Sequence, residues 1–90
     1  MKKYVIERHV PGIGSLNAAQ LKEAAAKSCE ALNKIGTEVQ WIESFVTADK
    51  TFCIYLAETE DAIMKHANLS GFPANRVTPV SSMIDPTTAA

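Results

Sequence analysis

The chain has 90 residues, of which 47% are apolar, so we predict one globular domain over residues 1–90. Nine basic residues stand against ten acidic ones, and no basic stripe is interleaved with aromatic side chains, which argues against nucleic-acid binding. The apolar runs are too short to cross a bilayer and no signal-peptide core follows the first residues, so we expect no membrane partner. Cys29 and Cys53 form no paired motif, which favours reduced, buried cysteines and a cytoplasmic protein.

The first two predicted elements are a strand and a helix. The strand covers residues 3–10 and leads into a loop rich in turn formers. Asn17 can cap the helix, and Gln20 completes a capping box three residues later. Gly36 is the expected end of this helix. One apolar stripe, spaced alternately by four and three residues, consists of Leu21, Ala25, Ser28, Leu32 and Ile35.

Four further elements follow in the same chain order. Residues 39–47 and 51–57 are rich in strand-forming side chains, and the three residues between them predict a short hairpin loop. Thr59 can cap a second helix, which ends at Gly71. A last strand is predicted over residues 76–84, at an edge of the sheet because it contains a proline.

The order β-α-β-β-α-β predicts an α+β fold, the ferredoxin-like sandwich with a four-stranded antiparallel sheet and both helices on one face. The third strand is apolar on both of its sides, whereas two helices can cover only one side of the sheet. An uncovered apolar face usually marks an interface. We therefore predict a homodimer, packed sheet against sheet as a dimeric α/β barrel.

Glu7 and His9 are the first candidate metal ligands, because alternate residues of a strand share a face. Carboxylate and imidazole are donors that transition metals accept, and a rigid strand fixes their geometry. Glu43 on the second strand and His66 on the second helix are the further candidates. The alternatives are an ordinary ion pair for Glu7 and a solvent-exposed His9.

His66 has a second interpretation as a hydrogen-bonded packing residue on the boundary of an apolar stripe. Its place near a helix C-terminus is expected to favour the protonated imidazole, which would oppose metal binding. It could also lie on the opposite side of the sheet from Glu7 and His9. In that case, the four candidate ligands would not form one metal site.

Three more side chains are candidates for a ligand pocket or for orienting the carboxylates. Trp41 and Tyr55 could line an apolar pocket in the dimer interior, the usual setting of a small-molecule site. A buried tyrosine hydroxyl needs a partner, which could be Glu7, Glu43 or a ligand. Arg76 could clamp a carboxylate such as Asp85, or an anion.

Several short strings in this sequence resemble a family of small bacterial proteins. They include Tyr4-Val-Ile-Glu-Arg8, Gln40-Trp41, Cys53-Ile-Tyr55, His66-Ala67, Gly71-Phe-Pro-Ala-Asn-Arg76 and Ile84-Asp-Pro-Thr87. The family is catalogued as a domain of unknown function and has a nickel-binding, nickel-responsive member in actinomycetes. The resemblance implies a ferredoxin-like protomer, a dimeric α/β barrel and nickel as the metal. Glu7 and His66 lie within the matched strings.

Three functions are consistent with this sequence. The favoured one is a non-enzymatic homodimer that binds nickel for buffering or sequestration, with ligands Glu7, His9, Glu43 and His66. The second is a small monooxygenase-like enzyme, in which Trp41, Tyr55 and His9 face one cavity and His9 or Glu7 is a general base. The third is a domain that only mediates association.

Overall fold

The structure, a computed structural model, describes all 90 residues and has four strands and two α-helices. The elements in chain order are β1 (Lys2–His9), α1 (Ala18–Ile35), β2 (Val39–Val46), β3 (Lys50–Ala57), α2 (Glu60–Ser70) and β4 (Arg76–Pro79). This is the predicted order β-α-β-β-α-β. Neither helix has the length and apolar character needed to span a membrane.

The helix ends follow the local chemistry that the sequence indicates. The Asn17 side chain accepts a hydrogen bond from the backbone N–H of Gln20, and the Gln20 side chain accepts one from the backbone N–H of Asn17, which completes the capping box. Thr59 caps α2 with a single bond, because its side chain accepts from the backbone N–H of Ala62. Gly71 ends α2 in the left-handed conformation with φ 76°, where a side chain would be strained.

The four strands form one antiparallel sheet in the order β2-β3-β1-β4. This α+β arrangement is compatible with the ferredoxin-like sandwich that the sequence predicts. Register places four side chains in one row across the sheet, in the order Phe45, Phe52, Glu7 and Arg76. A β-bulge between Trp41 and Glu43 shifts the pairing of β2.

Both helices cover the same face of the sheet. The core joins strand residues to residues of α2, and α1 packs against it through Leu32 and Ile35. The buried cluster consists of Tyr4, Ile6, Val39, Cys53, Tyr55, Ala57, Ala62 and Ile63. Strand β3 alternates between fully buried and half-buried residues, which confirms that its two sides have different surroundings.

Two expectations about the chain are wrong. Strand β4 ends at Pro79 rather than at residue 84: Pro79 has no N–H for the sheet, and the hydrogen bond from the Val80 N–H to the Lys3 carbonyl is the last one to β1. The side chains of Met83 and Ile84 are accordingly 70% and 82% exposed. Both cysteines are free as expected, but only Cys53 is buried and Cys29 is exposed.

The face of the sheet opposite the helices, here called the open face, is apolar at its centre and charged around it. Its central residues are Val5, Phe52, Ile54 and Leu56, all half-buried, with Phe45 beside them at 55% exposed. The charged residues at its margins are Lys3, Glu7, Glu43, Lys50 and Arg76. No element of the chain covers this face.

Candidate functional site

Glu7 and His9 lie side by side on the open face, as the strand period predicts. Oε1 of Glu7 is 3.4 Å from Nε2 of His9 and 3.0 Å from Nζ of Lys50. His9 is directly opposite Lys50 in the pairing of β1 with β3, which brings the ammonium to the same carboxylate. The three side chains form a small charged cluster at one end of the sheet.

This cluster keeps Glu7 ionised. The hydrogen bond from Lys50 is the main cause that lowers the pKa of the Glu7 carboxyl, and His9 lowers it further. A carboxylate must be deprotonated to bind a metal, so Glu7 is in the required form. The Lys50 ammonium already pairs with this carboxylate, however, so a bound cation would have to compete with it.

Glu43 is on the open face too, but it is not part of the cluster. It pairs with Ile54 of β3, and β3 lies between β2 and β1. Two strand spacings of about 4.8 Å therefore separate Glu43 from the strand that carries Glu7, or about 10 Å. Within one protomer, Glu43 and Glu7 are therefore not adjacent.

His66 lies on the opposite side of the sheet from the other three candidates. Its side chain is fully buried between α2 and the sheet, at 0% exposure. Nε2 of His66 forms hydrogen bonds of 3.0 Å with the Tyr55 hydroxyl and 3.3 Å with the Ser28 hydroxyl. The structure therefore does not bring the four candidate ligands together, because the sheet itself separates His66 from Glu7 and His9.

The charge state of His66 also differs from the expectation. Burial, with a smaller contribution from the nearby positive charge of Arg8, lowers the pKa of His66 to about 4. The helix C-terminus was expected to favour the protonated form, but removal from water has the larger effect. His66 is thus a neutral packing residue, and its Nδ1 is buried with no hydrogen-bond partner.

Trp41 and Tyr55 do line an apolar cavity, but it lies between α1 and the sheet rather than on the open face. Tyr55 is 2% exposed and its hydroxyl contacts His66 and Ser28, not Glu7 or Glu43. His9 and Glu7 are on the far side of the sheet from this cavity. The enzyme hypothesis placed His9 in one cavity with the two aromatic residues, and the structure does not have that arrangement.

Arg76 forms no ion pair with Glu7, although the two are directly opposite each other in the sheet. Arg76 forms no ion pair with Asp85 either, and that carboxylate accepts from the backbone N–H of Thr87 at its own turn. Binding of an anion by Arg76 stays a prediction. Lys50 instead holds the Glu7 carboxylate. The pairing register that brings Lys50 there depends on how β1 and β3 align, which no local pattern indicates.

The string Gly71 to Arg76 holds the end of β1 in place. The carbonyls of Phe72 and Pro73 both accept hydrogen bonds from Nη1 of Arg8, at 3.3 and 2.7 Å. The Asn75 side chain accepts from the backbone N–H of His9 at 2.7 Å. Sequence reasoning missed Arg8, although it alternates with Tyr4 and Ile6 on the helix-covered face and is the charged member of that row.

The donors available for a metal ion are limited in one protomer. No three His, Cys, Asp or Glu side chains are grouped so that they could hold an ion. Glu7 and His9 supply one carboxylate and one imidazole at an accessible place, which suits nickel but leaves its coordination incomplete. His66 is enclosed, and the positive charge of Arg8 beside it opposes a bound cation.

This architecture defines a class: small α+β proteins with one helix-covered and one open sheet face. The chain belongs to the family described as nickel responsive protein SCO4226-like, whose model matches residues 4–80. This confirms the resemblance that the sequence strings carry. No curated protein matches the chain.

Among solved structures, the chain is similar to SCO4226 from Streptomyces coelicolor A3(2). The TM-score is 0.76 at 12% sequence identity, and the match covers 91% of this chain and 99% of that one. At this identity the similarity establishes the shared fold.

Proposed function

We propose that this protein binds nickel as a homodimer, with Glu7 and His9 as ligands on the open face, and that it buffers or sequesters the metal. The observation that carries the proposal is the 3.4 Å approach of the Glu7 carboxylate to the His9 imidazole. Both donors lie within reach of one ion, and the nickel-responsive family supplies the identity of the metal.

The remaining ligands come from a second copy of the chain. The open face has an apolar centre and margins of both charges, with Lys3, Lys50 and Arg76 against Glu7 and Glu43. Such a face is self-complementary when two copies pack sheet against sheet about a twofold axis. Glu43, which is separated from Glu7 by strand β3 in its own protomer, can then contribute across the interface.

Isothermal titration calorimetry with Ni²⁺ on untagged protein tests this assignment. We expect saturable binding that Glu7→Gln and His9→Asn each weaken about tenfold or more, because each removes one metal ligand. Lys50→Met should tighten binding, since it removes the ammonium that competes for Glu7. Glu23→Gln, on the exposed side of α1, is the matched control and should bind as the unmodified protein does.

Two results would contradict the proposal. One is an unmodified protein that takes up no Ni²⁺. The other is a Glu7→Gln, His9→Asn double variant that binds Ni²⁺ as tightly as the Glu23→Gln control, which would place the metal elsewhere.

A further inference from the structure

The cavity between α1 and the sheet has the features of a binding site and has no role in the proposed nickel site. It has a volume of about 210 Å³, and ten of its fourteen lining residues are hydrophobic. The apolar wall includes Val10, Ile13, Leu21, Ala25, Trp41 and Phe72. Dry apolar cavities of about 150 Å³ are large enough to bind benzene, so this one has room for a substituted aromatic ring.

The wall contains one full charge, that of Arg8. Its side chain comes from β1 on the helix-covered face and is only 4% exposed. No carboxylate neutralises it, because both ion pairs of the chain belong to Glu7 on the other side of the sheet. A buried charge without a counterion is costly, and the two loop carbonyls and the Tyr55 ring 6.0 Å away compensate it only in part.

The Arg8 guanidinium has donors that form no hydrogen bond within the protein. Both of its hydrogen bonds leave from Nη1, and Nε and Nη2 form none, although the Tyr55 side chain is close. The one fully enclosed side-chain nitrogen or oxygen without a partner is Nδ1 of His66, so the unpaired nitrogens of Arg8 are not enclosed by protein. Arg8 lines the cavity, and these donors are available to an occupant.

The groups near Arg8 favour an anion there. Ser28 and Tyr55 also line the cavity, and both are neutral hydrogen-bonding side chains. His66, behind them, is uncharged at neutral pH. No acidic residue lines the cavity, so nothing in the wall repels a carboxylate.

We infer that this cavity binds a small carboxylate with an apolar or aromatic body. The carboxylate accepts hydrogen bonds from the Arg8 guanidinium, which can hold it in a bidentate pair. The body of the ligand packs against α1 and Trp41, and it enters past Val46, which is 46% exposed at the rim. The site lies across the sheet from Glu7 and His9 and does not depend on nickel.

Trp41 is the single tryptophan of the chain and lines this cavity, so its fluorescence reports on an occupant directly. We expect phenylacetate to change the Trp41 emission in a saturable manner. Acetate, which lacks the apolar body, and 2-phenylethanol, which lacks the charge, should each bind about tenfold more weakly or worse. Arg8→Gln should weaken phenylacetate binding about 10- to 100-fold, the usual range for losing hydrogen bonds to a charged group.

Two further variants complete the test. Arg76→Gln, which removes an arginine from the open face, is the matched control and should bind phenylacetate normally. Ala25→Leu keeps Arg8 but fills part of the cavity, and it should abolish binding even where Arg8→Gln is poorly folded. The inference is overturned if phenylacetate gives no saturable change, if acetate binds as well as phenylacetate, or if Ala25→Leu binds phenylacetate unchanged.

Discussion

Neighbouring residues of a strand point to opposite faces, and in β1 this gives Glu7 and Arg8 separate environments. Glu7 reaches the open face, where Lys50 and His9 stabilise its charge. Arg8 reaches the helix-covered side, where it lies beside a neutral network of Ser28, Tyr55 and His66. Two adjacent charged residues thus belong to two candidate sites with a sheet between them.

The buried His66 predicts a pH-dependent stability. Its pKa in the folded protein is about 4, below the value of 6.5 for a solvated imidazole, so the unfolded chain binds the proton more readily. The contribution of His66 to the free energy of unfolding should therefore be greatest above pH 6.5 and decrease as the pH drops towards 4. At pH 4.5 the loss should be about 2–3 kcal/mol. Urea denaturation at pH 7.5 and at pH 4.5 measures the difference.

A His66→Gln variant should be less stable at pH 7.5 but lose less stability on acidification. His9→Asn, at the exposed histidine, is the control and should keep the loss of stability that the buried His66 causes. Lys50 lowers the pKa of Glu7 and Thr87 lowers that of Asp85, so these carboxylates add a loss of stability in acid that the unmodified protein and His66→Gln share. An unchanged pH profile in His66→Gln would show that His66 is not buried in its neutral form.

At the scale of elements, the sequence predicts what local chemistry determines. The capping box at Asn17, the cap at Thr59 and the glycine that ends α2 are all confirmed. Two features could not be predicted, because they depend on contacts between elements that are far apart in the chain. They are the strand register that brings Lys50 to Glu7 and the packing of α2 that buries His66. The sequence placed Tyr55 in a dimer interior because nothing local showed which side of β3 the helices cover.

The cap of α1 gives a prediction at this scale. Asn17→Ala removes the acceptor for the backbone N–H of Gln20, and it should lower the free energy of unfolding by about 1 kcal/mol. Asn33→Ala, at an exposed position inside the same helix, is the matched control and should be neutral or slightly stabilising. Urea denaturation of both variants tests the difference, and equal stabilities would show that the capping box contributes nothing.

At the scale of the whole molecule, the open face determines whether two copies of the chain associate. A single 90-residue protomer leaves the row of Phe52, Ile54 and Leu56 without cover, and a second copy is the partner we propose. Placing a charge at its centre, as in Ile54→Glu, should dissociate the dimer, because the carboxylate would be buried without a counterion. Leu69→Glu, at an exposed apolar residue of α2, is the control and should leave the dimer intact.

Native mass spectrometry of the untagged, nickel-loaded protein tests the account most directly, because one spectrum reports both subunit number and bound metal. We predict a homodimer that carries nickel, an Ile54→Glu variant that is monomeric and has lost it, and a Glu7→Gln variant that is dimeric and depleted of it. A monomeric protein at micromolar concentration, or a dimer that takes up no nickel, would contradict the account.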